Sequence, residues 1–91
     1  MRKFIIEREI PGIGGADGNA MREIAQKSNG ILDAIGPDIQ WIESYVTGDK
    51  AYCVYLAKDE STIRQHATKS GFPANRIAEV ARMIDPTTAR P

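Results

Sequence analysis

Two glutamates two residues apart, Glu7 and Glu9 in "FIIEREIPG", and the single histidine, His66, are the side chains whose types and spacing best suit chemistry. On a strand, residues i and i+2 project from one face. The two carboxylates can therefore share a cation, or one can hold the other's proton. His66 supplies the one imidazole available as a neutral-pH proton shuttle or metal ligand. Together the three make an oxygen and nitrogen donor set suited to a divalent transition metal, with water completing an octahedron. A helix carrying His66 would pack on one face of a sheet. The set closes only if Ile5, Glu7 and Glu9 point to that face, or if a second copy of the chain brings them together. A ligating His66 must be neutral, so binding is expected to weaken below about pH 6. The plainer readings are a strand end emerging into solvent, with Arg8 on its other side, and a histidine satisfied within the core.

The stretch "PGIGGADG", Pro11 to Gly18, has the look of a phosphate-gripping loop. A dinucleotide fingerprint needs glycines at its first, third and sixth positions. Counted from Gly12, the third is Gly14 but the sixth is Asp17, and no Gly-Lys-Ser/Thr follows for a P-loop. An aspartate at a helix start repels phosphate and serves instead as a cap. The loop reads as a connection, with Asp17 as the capping residue. Serine-nucleophile motifs, CxxC pairs and HExxH are absent.

These residues must be positioned by elements that the hydrophobic pattern outlines. Lys3 to Ile10 alternates Phe4, Ile6, Arg8 and Ile10 with Ile5, Glu7 and Glu9, which predicts a first strand ended by Pro11 and Gly12. Met21, Ile24, Ala25, Ser28, Ile31, Leu32 and Ile35 form one stripe, so Asn19 to Ile35 is expected to be a helix stopped by Gly36 and Pro37. "IQWIESYV" and "KAYCVYLA" read as a hairpin about Gly48 and Asp49. Its register pairs Val46 with Ala51, Tyr45 with Tyr52 and Glu43 with Val54, placing Trp41, Glu43, Tyr45, Tyr52, Val54 and Leu56 on one face. Asp59 and Gly71 cap a short helix ending near Ser70. "IAEVARMID" is a fourth strand candidate, closed by Pro86.

The order β, α, β, β, α, β over residues 1–91 predicts a single α+β domain. Its architecture is a ferredoxin-like sandwich of a four-stranded antiparallel sheet with two helices on one face. Large apolar residues on both sheet faces favour dimerisation through the other face. Twelve basic and twelve acidic residues cancel, which argues against nucleic acid as a partner. No run approaches a membrane span or a signal h-region, so a soluble, unprocessed chain is expected. One cysteine, Cys53, fits a reducing cytoplasm.

"FIIEREIPGIG", "IQWIESYVTGDKAYCVYLAKDE", "IRQHATKSGFPANRI" and "IDPTT" occur in an order and spacing that resembles a family of small bacterial nickel-binding proteins, long catalogued as a domain of unknown function. The resemblance runs over nearly the whole chain. It implies a ferredoxin-like fold, a dimer of sheets meeting face to face, and a role in nickel handling rather than catalysis. By matching phrases, the family's glutamates fall on Glu7 and Glu9 and its histidine on His66; their choice as ligands rests on their chemistry. The chain departs from the family pattern at Gly15 to Ala20, where relatives carry a helix start with acidic residues.

The leading expectation is thus a cytoplasmic homodimer that binds a divalent metal, Ni2+ first, through Glu7, Glu9 and His66. The alternative is an enzyme of the dimeric α/β-barrel type, acting on a small organic substrate in a cavity on the sheet's second face near Trp41, Tyr45 and Tyr52. A dimer binding neither ligand is the third.

Overall fold

The computed structural model describes residues 1–91. Strands β1 (Arg2–Glu9), β2 (Ile39–Val46), β3 (Lys50–Ala57) and β4 (Arg76–Glu79) form one sheet in the order β2-β3-β1-β4. Every neighbouring pair is antiparallel. Helices α1 (Gly18–Ile35) and α2 (Glu60–Ser70) cross over between the strands. This is the ferredoxin-like α+β arrangement that the element order predicts.

Local chemistry sets the boundaries. Asp17 accepts a hydrogen bond from the Ala20 N–H at 2.8 Å and starts α1. Asp59 takes the Thr62 N–H at 2.9 Å, together with the hydroxyls of Ser61 and Thr62, and starts α2. That network holds the Asp59 carboxyl down to about 2. Gly71 ends α2 at a φ of 74°, a left-handed conformation that a side chain disfavours. The fourth strand is shorter than its apolar run suggests. Val80 donates to the Lys3 carbonyl at 2.8 Å, after which the chain outruns β1 and leaves Met83 and Ile84 exposed.

Period-two alternation divides β1 and β3 cleanly. Phe4 and Ile6 of β1 and Ala51, Cys53, Tyr55 and Ala57 of β3 are buried under the helices against Leu32 and Ile63. Ile5, Glu7 and Glu9 face the other way, beside Val54, Tyr52 and Lys50 of β3. The predicted hairpin register holds from Glu43 to Val46, but a β-bulge between Trp41 and Glu43 adds a residue to β2. Trp41 consequently pairs with Tyr55 and packs on the helix side, not beside Tyr45.

The glycine loop is pinned rather than free. Residues Ile13–Gly15 form a single 3-10 turn. Gly14 donates to the Gly48 carbonyl at 3.0 Å, and Gly12 to Asp49 Oδ1 at 2.8 Å. A Cβ on Gly14 would lie 2.5 Å from the Thr47 carbonyl oxygen, so the loop approaches the β2–β3 turn as only glycine allows.

Candidate functional site

The two sequence-selected glutamates and His66 lie on opposite faces of the sheet. Glu7 and Glu9 project from the face that carries no helix. Glu7 is partly shielded, and its carboxylate lies 3.6 Å from Lys50 Nζ. Glu9 is exposed and receives Asn75 Nδ2 at 3.4 Å, while its own backbone N–H donates to Asn75 Oδ1 at 2.7 Å. His66 is 1% exposed, on the inner side of α2. It packs on Tyr55 at 5.5 Å and on Phe72 at 6.5 Å between ring centroids. The three side chains therefore do not converge within one chain. No group of three or more His, Cys, Asp or Glu side chains in the chain is placed to hold a metal ion.

The imidazole is held neutral instead. Burial, and then the nearby charge of Arg8, lower its proton affinity to about 4. His66 Nε2 lies 3.1 Å from Ser28 Oγ, a contact that ties α2 to α1, and Nδ1 has no partner. A break in behaviour near pH 6, expected of a ligating His66, has no source in this environment.

Arg8 is a residue to which the sequence assigns no role. It is 3% exposed. It shares the inward parity of Phe4 and Ile6, and that parity was the available signal. The segment after α2 roofs it: Nη1 donates to the Pro73 carbonyl at 2.8 Å, and the guanidinium stands 5.9 Å from the centre of the Phe72 ring. Nη2 has no hydrogen-bond partner.

Arg8 also lines a cavity of about 520 Å³ between the first half of α1 and the sheet. Met21, Ile24 and Ala25 face it from the helix, and Trp41, Cys53 and Tyr55 from the sheet. Cavities of that size and apolar lining are of the kind that hold small molecules. The space lies on the helix side, whereas Tyr45 and Tyr52 stand on the other face. It is therefore distinct from the second-face pocket that the barrel-type enzyme reading requires.

No curated protein matches the sequence. Among solved structures, the crystal structure of SCO4226 from Streptomyces coelicolor A3(2) superposes with a TM-score of 0.75, at 13% identity, over 90% of this chain and 99% of that one. Identity that low supports the fold alone. The sequence itself carries more: the profile of the family described as nickel responsive protein SCO4226-like matches residues 4–80, from the first core residue of β1 to the last ladder bond beyond β4. The match takes in both helices and all or most of every strand, so the chain belongs to the SCO4226-like family of nickel-responsive proteins.

Proposed function

We propose that this protein binds a divalent transition metal, nickel first, in a non-catalytic metal-handling role. Membership of a nickel-responsive family across residues 4–80 is the observation that carries the reading. Glu7 and Glu9 are the donors best placed for it, because they stand together on the sheet face that no helix covers. Two carboxylates are too few for an octahedral ion. The remaining positions go to water and to groups of a second copy docked on the same face. Such a homodimer would also cover Ile5 and Tyr45, which are exposed there, and the half-buried Val54 and Leu56. His66 stays in the core in this arrangement, outside the ligand set. A reducing cytoplasm suits the unpaired Cys53.

Calorimetric titration of tag-free, chelator-stripped protein with Ni2+ at neutral pH tests the proposal. Saturable binding is expected, weakened about tenfold or more in Glu7→Gln and in Glu9→Gln and little changed in His66→Phe. Undiminished binding in the double glutamine variant would overturn the carboxylate site. Failure of the unmodified protein to bind would overturn metal binding itself.

A further inference from the structure

We propose that the cavity between α1 and the sheet is a binding site for a small monocarboxylate with an apolar body, its carboxylate held by Arg8.

Charge complementarity identifies the occupant. A buried guanidinium is normally matched by an anion. The ion pairs of this chain are Arg2–Glu79, Lys50–Glu7 and Arg64–Glu60, and none of them serves Arg8. Arg8 has instead one neutral carbonyl, that of Pro73, and one nitrogen, Nη2, with no partner. A carboxylate oxygen meets that need with a charge-assisted hydrogen bond. Tyr55 and Ser28 line the same space and carry hydroxyls able to donate to the second oxygen. Burial raises the Tyr55 phenol, so it keeps the proton it would donate.

The rest of the lining sets the class further. Arg8 is the one cationic residue of the lining, so a second anionic group would find no counter-charge there. Phosphate esters, nucleotides and dicarboxylates are thereby disfavoured. Ile10, Ile13, Met21, Ile24 and Trp41 offer hydrocarbon and aromatic surface, which suits an alkyl or aryl body. The proposal does not rest on nickel, since Arg8, Tyr55 and Ser28 are outside the metal donor set proposed above, and Glu9 is the residue common to both regions.

Octanoate is the probe, with octan-1-ol as its neutral counterpart and inorganic phosphate as an anion without a tail, each titrated calorimetrically into chelator-stripped protein. Octanoate is expected to saturate at one per chain and to bind about tenfold or more tighter than octan-1-ol, with no binding of phosphate. Arg8→Met should erase the difference between acid and alcohol. Ala25→Phe, which fills the cavity and leaves Arg8 in place, should abolish octanoate binding without lowering the melting temperature, and it decides the matter if Arg8→Met fails to fold. Equal affinity for acid and alcohol in the unmodified protein, no saturable octanoate binding, or full octanoate binding in Ala25→Phe would each overturn the proposal.

Discussion

The two helices cover the same sheet face but sit on it differently. Helix α2 has 11 residues and buries Thr62, Ile63, His66 and Ser70, a continuous stripe at helical spacing. Helix α1 has 18 residues and buries Ser28 and Leu32. Met21, Ile24 and Ala25 point inward and remain only partly covered, because they overhang the cavity. On the sheet side the lining includes the short side chains of Ser44, Ala51 and Cys53 beside the larger Trp41 and Tyr55. Amphipathic periodicity thus dictates which side of a helix turns inward, while the volume of the opposing side chains dictates how closely it packs. A stand-off of this kind is where a small protein can leave room for a ligand.

The sharpest way to break that contrast is to truncate one apolar side chain on each helix. Ile63→Ala, in the sealed region, should cost about 3 kcal/mol by urea unfolding. Ile24→Ala, at the cavity wall, should cost less than about 1 kcal/mol, part of the loss being offset by alanine's better helix propensity. Equal losses would mean that α1 packs as tightly as α2.

The second test uses acid. A histidine whose folded proton affinity lies near 4, against 6.5 in the unfolded chain, takes up its proton preferentially when unfolded. Its contribution is present in full above about pH 6.5 and is lost as pH falls toward 4. The groups facing it are Arg8 from β1, Ser28 from α1, Tyr55 from β3 and Phe72 beyond α2. The loss should reach about 2–3 kcal/mol between those limits, and His66→Phe should flatten that part of the urea-midpoint profile. An unchanged slope in the variant would remove His66 as the acid-sensitive link between the helices.

The smallest effect belongs to Gly30, exposed on α1 with nothing within 4 Å of the position a Cβ would take. Gly30→Ala should raise stability by up to about 1 kcal/mol in the same assay. Its octanoate titration should match that of the unmodified protein, because the change stiffens α1 without lowering it onto the sheet.

Much of this fold was legible in short-range chemistry. Asp17, Asp59 and Gly71 announce helix ends because capping is a local hydrogen-bonding matter. The register about Gly48 and Asp49 follows from the turn. Trp41 was misplaced because a bulge leaves no mark on the apolar alternation it interrupts. The candidate site was less legible still. Alternation correctly separates Glu7 and Glu9 from Phe4, Ile6 and Arg8, yet it does not say which set meets the helix carrying His66. Arg8 has no role legible in the sequence, because its cover, Phe72 and Pro73, comes from 64 and 65 residues farther along the chain. Charge in a strand reports solvent only when nothing distant folds over it.

The contact between Gly14 and the β2–β3 turn binds the history of two segments together. An insertion in that turn, or any side chain at position 14, would force the other partner to change length or shape at the same time. Across relatives of this chain, the two loops are expected to lengthen and shorten as a pair, and a graft that moves one without the other should lose its docking.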